Sequence, residues 1–238
     1  MRKKVPVICD LKPSGKYLAV DLHKAGGIPQ VMKVLLNAGL LHGDCMTITG
    51  KTIAESLKDV PDQPPANQDV IRAIDKALYK EGHLAILKGN LSPNGCVIKQ
   101  TAADKRFHKH RGPAVVFEDY PDLSRRIDDE NLAVTEDSVL VLKNAGPIGA
   151  PGMPEWGMLP IPKKLLRKGV RDMVRISDCR MSGTAYGTCI LHVSPEAHIG
   201  GPLALVRDGD MIELDIAARR LHLDVSDAEL AARKAAWT

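Results

Sequence analysis

Two side chains in this chain have surroundings that could make them reactive. Ser182 sits in the tight run Arg180-Met181-Ser182-Gly183-Thr184, and Glu155 follows Met153-Pro154 in the middle of a loop. A serine hydroxyl is a poor base unless a metal or another cation compensates the charge of its ionised form. A carboxylate held in one direction is a natural ligand for a hard cation such as Mg2+. The loop around Glu155 suits that purpose: from Ala145 to Pro162, nine of eighteen residues are glycine or proline. Prolines restrict the backbone, glycines permit close approach, and a long loop of this kind inside a compact domain is often functional. Each residue also has an ordinary explanation. A serine before glycine is usually a turn residue, and a single loop glutamate is usually solvated. The run is not a Gly-x-Ser-x-Gly nucleophile elbow, because Arg180 stands two residues before the serine. His192 is the nearest histidine, and no spacing pattern pairs it with Ser182. On spacing alone the matter stays open.

The elements that must position these residues change character along the chain. Ile28, Val31, Met32, Leu35 and Leu36 form one apolar helical stripe, with Pro29 in the first turn and Gly39 at the C-terminal end. Together with the segments around it, this stripe makes the first sixty residues read as helical. Thr52 and Glu55 predict a capping box opening a second short helix. Pro61 to Asp69, with three prolines, reads as a linker. Beyond it lie short apolar runs: Leu84 to Leu87, Cys96 to Ile98, Ala114 to Phe117, Val139 to Leu142, Val170 to Ile176, Leu203 to Val206 and Met211 to Ile216. Turn residues separate them, including an Asp-Gly hairpin signal at Asp208-Gly209. The spacing predicts a β-rich barrel or sandwich. Helices are expected between strands at 121–131 and 162–168, and a last one after an N-cap at Ser226.

Composition removes several classes of function. The 238 residues are 44% hydrophobic, 26% charged and 3% aromatic, with a net charge of +4. That describes a globular chain with an aliphatic core. No basic run interleaved with aromatics points to nucleic acid, and no apolar stretch reaches membrane-spanning length. No adequate apolar segment follows the first basic residues, so a secretory signal is not expected and a cytoplasmic location is. The five cysteines, at 9, 45, 96, 179 and 189, are odd in number and lack a CxxC pair. That argues against a disulfide framework or a closed zinc site, and favours reduced thiols packed as small hydrophobes.

Four blocks carry a resemblance. They are the stretch PVICDLKPSGKYLAVDLHKAGGIPQVMKVLLNAGLLHGDCMTITGKTIAE, then GHLAILKGNLSPNGCVIK, then GPIGAPGMPE, then SDCRMSGTAYGTCILHVSPEAHIGGPLALVRDGDMIELDI. In series and in order, they resemble the dihydroxy-acid and sugar-acid dehydratase family, and specifically its C-terminal portion. The resemblance implies an α/β protein overall. Residues 1–75 would be the short helical end of the cluster-binding α/β domain. Residues 76–238 would be a swivelling, barrel-like β domain. It implies Mg2+ and an iron–sulfur cluster of the 2Fe-2S type. The cluster cysteines and most magnesium ligands belong to family blocks that this sequence does not contain, and the start at Met1-Arg-Lys-Lys reads as an internal one.

Residue by residue, Glu155 matches the family's magnesium-ligating glutamate, and Ser182 matches the serine that serves as base. Thr184 matches a threonine lining the substrate pocket, and Arg180 and His192 are further candidates for positioning substrate or loop. The implied reaction is dehydration of a 2,3-dihydroxy acid to a 2-keto-3-deoxy acid. Cys179 and Met181 replace the Gly and Phe of the branched-chain amino-acid branch, which resembles the sugar-acid branch and favours L-arabinonate or D-xylonate. The alternatives are dihydroxy-acid dehydratase, or a non-catalytic module that is inactive without a partner supplying the N-terminal domain. A homo-oligomer is expected of the full-length form.

Overall fold

The structure, a computed structural model, describes residues 3–150, 159–183 and 185–237. The chain divides into two compact units, Met1–His83 and Leu84–Thr238. Among its described residues, the first holds three α-helices: α1 (Ala19–Lys24), α2 (Gly27–Asn37) and α3 (Ile53–Ser56). The expected capping box at α3 forms in both directions. Thr52 Oγ1 accepts from Glu55 N at 3.2 Å, and Glu55 Oε2 accepts from Thr52 N at 2.7 Å. Helix α2 buries less of its apolar stripe than the spacing suggests. Val34 is buried, Val31, Met32, Leu35 and Leu36 are half-buried, and Ile28 is exposed.

The expectation that the first sixty residues are helical is corrected in part. Much of the unit is held by isolated bridges, Val7 with Tyr79, Cys9 with Ile71 and Leu11 with Tyr17. Residues after the proline-rich stretch therefore return to pair with residues before it. Local periodicity cannot register such a return.

The second unit is a closed barrel. Its strands are β1 (Leu84–Gly89), β2 (Ser92–Lys99), β3 (Lys109–Phe117), β4 (Val139–Leu142), β5 (Val174–Ser177), β6 (Cys189–Ser194), β7 (Met211–Asp215) and β8 (Arg220–Leu223), in the order β1-β2-β6-β5-β4-β3-β7-β8. The β-rich domain read from the apolar runs is thus a barrel with all eight of these strands paired. The pairs β3–β4, β4–β5 and β5–β6 are parallel. The other pairs are antiparallel, apart from a single parallel contact of β1 with β8.

Side-chain alternation fills two layers. Val139, Val141, Val174, Ile176 and Ile190 point into the barrel with Leu87, Ile98, Ile212 and Leu221. Leu140, Leu142, Cys189 and Leu191 point outward. There they pack under Leu123 of α4 (Tyr120–Arg126) and Leu165 of α5 (Lys163–Arg167). Strands covered on both faces read as unbroken Val, Ile and Leu runs, which is why β4 is legible in the sequence. At the end of the chain, α6 (Asp227–Ala235) carries the expected N-cap, with Glu229 N donating to Ser226 Oγ at 3.2 Å.

The strand expectations are corrected at several points; of Val170 to Ile176, only the part from Val174 is strand, in β5. Leu203 to Val206 is mostly a single 3-10 turn at Pro202–Leu205, its leucines buried without sheet pairing. Asp208-Gly209 is a turn leading into β7 and not a hairpin; the hairpins join β1 to β2 and β7 to β8. Strands β6 and β8 form outside the apolar runs taken as strands, although Cys189-Ile190-Leu191 opens β6. In β8 the polar Arg220 and His222 separate the leucines, and in β6 His192 interrupts the apolar residues.

Candidate active site

Two crossover connections meet over the outer face of the parallel strands. The glycine- and proline-rich loop leaves the C-terminal end of β4, and the serine run leaves the C-terminal end of β5. Register pairs Leu142 with Ser177, so the two connections depart side by side. In parallel sheets, ligand sites form from loops at such strand ends.

A buried carboxylate ties the two departures together. Asp178, the first residue after β5, accepts from Ala145 N at 3.0 Å and from Ala197 N at 2.8 Å. Burial pushes its carboxyl above the ordinary aspartate range, opposed by the backbone N–H groups aimed at it. Glu196 continues the anchoring, its Oε2 accepting from Ile148 N at 3.0 Å and Gly149 N at 3.3 Å. A Cβ on Gly146 would lie 2.5 Å from that same oxygen, so glycine is what admits the carboxylate.

The returning ends are tied by Arg175, only 3% exposed in the middle of β5. Its Nη1 donates to Leu159 O at 2.7 Å, at the end of the glycine- and proline-rich loop, and its Nη2 donates to Tyr186 O at 3.0 Å, beyond Ser182. Asp172 balances the charge, its Oδ1 accepting from Arg175 Nη2 at 3.1 Å. Asp172 is itself fully engaged, accepting from Asp104 N, Met173 N, Thr188 N and Thr188 Oγ1. A buried pair with this many further hydrogen bonds is satisfied rather than frustrated.

Ser182 is half-buried between these anchors. Lys99, at the end of β2, donates from Nζ to Ser182 O at 2.8 Å and to Gly183 O at 2.7 Å. His192 Nε2 accepts from Met181 N at 2.9 Å. That histidine has φ 54°, and the β2–β6 register shifts there, with Gly95 opposite Ser194 but Val97 opposite Leu191. The extra residue makes a bulge that turns the imidazole out of the strand's alternation and toward the serine run. Burial, aided by the Arg180 charge, pushes His192 below the usual imidazole range, which favours the acceptor form seen here.

Of the residues expected from sequence, Ser182, Arg180 and His192 fall together on one connection and its neighbouring strand. Arg180 is exposed. Glu155 and Thr184 lie outside the described residues, though the described ends of the loop bearing Glu155 are anchored beside the serine run. Sequence reasoning missed Lys99, Arg175, Asp178 and Glu196. A buried charge leaves no periodic trace, and Lys99 reads as the polar end of an apolar strand. Cys179 is fully buried in the outer apolar layer, and Met181 packs against that layer. Both side chains thus belong to the packing of that layer.

Comparison with known proteins identifies the ancestry of this arrangement. The model of the dihydroxy-acid/6-phosphogluconate dehydratase C-terminal domain matches residues 69–238, and that of the corresponding N-terminal domain matches residues 1–56. The chain belongs to the dihydroxy-acid/6-phosphogluconate dehydratase family. It is 54% identical to the L-arabinonate dehydratase of Rhizobium leguminosarum bv. trifolii, over 99% of this chain and 40% of that protein. It is 55% identical to dihydroxy-acid dehydratase 3 of Bordetella bronchiseptica, over 100% of this chain and 41% of the relative. It is 54% identical to the 6-deoxy-6-sulfo-D-gluconate dehydratase of Pseudomonas putida, over 98% and 40% respectively. The chain spans about two fifths of the length of the curated relatives it matches.

The one metal ligand that the family resemblance puts on this chain, Glu155, lies outside the described residues. No three His, Cys, Asp or Glu side chains converge among them to hold a metal ion. Cys96 and Cys189 are buried, and burial pushes both thiols up to about 11, the wrong direction for thiolate ligands.

Proposed function

We propose that this chain is the C-terminal part of a hydro-lyase that dehydrates a 2,3-dihydroxy sugar acid, such as L-arabinonate or D-xylonate, to a 2-keto-3-deoxy acid. Ser182 is the base: its ionised oxygen takes the proton from C2 and passes it to the departing 3-hydroxyl, which leaves as water, and the resulting enol tautomerises to the keto acid. The observation that carries this reading is the convergence of the serine run and the glycine- and proline-rich loop, tied together through Asp178 at one end and Arg175 at the other. An ammonium group on the main chain of Ser182 supports it, because a cation nearby favours the ionised hydroxyl.

Glu155 is assigned the role of magnesium ligand, and Thr184 and Arg180 that of substrate contacts, on the family resemblance. Mg2+ would supply charge stabilisation on the carboxylate side of the substrate, and a 2Fe-2S cluster Lewis acidity at the departing hydroxyl. The remaining ligands would come from a domain or partner outside this chain, in a homo-oligomeric enzyme. Dihydroxy-acid dehydratase is the second reading, favoured by relatives of that name at 55% identity.

The test joins this chain to the part of the Rhizobium L-arabinonate dehydratase that it does not cover. The chimera is assayed for keto-acid release from arabinonate, xylonate and 2,3-dihydroxy-isovalerate. Preference for a pentonate supports the sugar-acid reading. Preference for dihydroxy-isovalerate supports the second, and no turnover of any substrate by a folded, reconstituted chimera overturns both.

A further inference from the structure

Three side-chain hydrogen bonds converge on the main chain of three consecutive residues. His192 Nε2 accepts from Met181 N at 2.9 Å, and Lys99 Nζ donates to Ser182 O at 2.8 Å and Gly183 O at 2.7 Å. Ser182 O also accepts from Ala185 N at 3.2 Å, closing the turn. The two side chains come from neighbouring strands, Lys99 from the end of β2 and His192 from the bulge in β6. They grip opposite sides of the serine residue, one through an acceptor on its N-terminal side, the other through a donor on its C-terminal side. The histidine holds a left-handed φ of 54° to reach its place. A non-glycine residue keeps such a conformation only where its surroundings over-determine it, and such outliers cluster at functional sites.

We propose that Lys99 and His192 are positioning residues that brace the main chain on either side of Ser182 and thereby fix the direction of its hydroxyl. The inference rests on the reading of Ser182 as the base. The brace has a required protonation state. His192 accepts only while Nε2 is bare, which makes it the neutral tautomer protonated at Nδ1. Lys99 donates to both carbonyls most strongly as an ammonium.

The surroundings of His192 favour the form the brace needs, and those of Lys99 oppose it. Burial lowers His192 below its ordinary value, and the Arg180 charge on the serine run lowers it further. Burial also lowers Lys99, while Cys189 at the start of β6 acts in the opposite direction. On acidification the lysine keeps its charge, so the brace fails at the histidine. As pH falls through the imidazole range, Nε2 gains a proton and faces the Met181 N–H with a donor of its own.

The test begins with 15N NMR of the 238-residue chain. The brace requires the Nδ1-protonated tautomer of His192 at neutral pH, a midpoint below the ordinary 6.5, and a Met181 amide shift that follows the same midpoint. An Nε2-protonated tautomer or a midpoint at or above 6.5 overturns it, and this holds even where variants fail to fold.

Two substitutions extend the test. Lys99→Met should raise amide exchange across residues 181–185 about tenfold, with Lys99→Arg restoring part of the protection, as expected when a local opening is eased without global unfolding. Unchanged exchange in Lys99→Met overturns the role of the lysine. In the active chimera, His192→Phe should lower kcat about ten- to a hundredfold, in line with the cost of a misplaced reacting group, and move the acid limb of kcat. If Ser182→Ala keeps its activity, the base reading fails whatever the NMR shows. If Ser182→Ala is inactive and the acid limb is unmoved in His192→Phe, the brace fails alone.

Discussion

Asp178 is a buried carboxylate held by N–H groups from two separate loops. Both of its oxygens accept from backbone nitrogens, Ala145 on one side and Ala197 on the other. Asp178→Asn replaces one acceptor with an amide donor that faces an N–H. The expected cost at neutral pH is about 1–3 kcal/mol, the penalty for a buried donor left unsatisfied, read from urea unfolding. The pH dependence has a definite sign. Burial raises the native pKa, so above pH 3.8 the folded state binds more protons than the unfolded one. Stability contributed by this group is therefore present below 3.8 and lost as pH rises through the native value, and the slope disappears in Asp178→Asn. His192 runs the other way: with its native pKa lowered, its contribution is present above about 6.5 and lost as pH falls. Of these site residues, Ser182 stands out in the sequence because glycine and threonine mark a turn. Asp178 does not, because its partners lie 19 and 33 residues away.

Among elements, the parallel strands β4 and β5 decide where the two connections begin, because Leu142 and Ser177 end side by side. Gly187 shows how tightly those connections are packed. Its φ is +81°, and a Cβ there would lie 2.2 Å from Arg175 Nη2 and 2.4 Å from Asp172 Oδ1. Gly187→Ala should force Arg175 off the Tyr186 carbonyl and lower the melting temperature clearly, in a scanning-calorimetry comparison with the parent. Arg175→Met should cost more, about 3–5 kcal/mol, because it strands the buried Asp172 carboxylate. Limited proteolysis of that variant should show faster cleavage in both connections, since one guanidinium holds the returning end of each. The apolar runs are legible in the sequence because strands buried on both faces need unbroken Val, Ile and Leu. What joins them is not: the barrel's order and parallel pairing follow from closure in three dimensions, and β8 alternates with polar residues as any exposed segment would.

At the scale of the molecule, the barrel carries its own core. The interior cluster runs from Ala85 to Leu223 and draws only on residues of the second unit. Residues 84–238 expressed alone should therefore give a cooperative, β-rich fold by circular dichroism, and a non-cooperative transition would contradict the autonomy of the unit. Residues 3–83 have a smaller cluster around Ala25, Val70 and Ile71, with Leu18, Val20, Met46 and Ile48 exposed. Among the described residues, no helix is long and apolar enough to cross a membrane.

Both crossovers are pinned at each end, and what they hold out between the pins is Ser182, the proposed base. Its role is decided by kcat of Ser182→Ala in the active chimera on its preferred substrate, with the fold checked by circular dichroism. A positioned base contributes about a hundred- to ten-thousandfold, and a loss in that range is the expected result. A rate within about tenfold of the parent falls short of what a positioned base supplies and would show that Ser182 is not one.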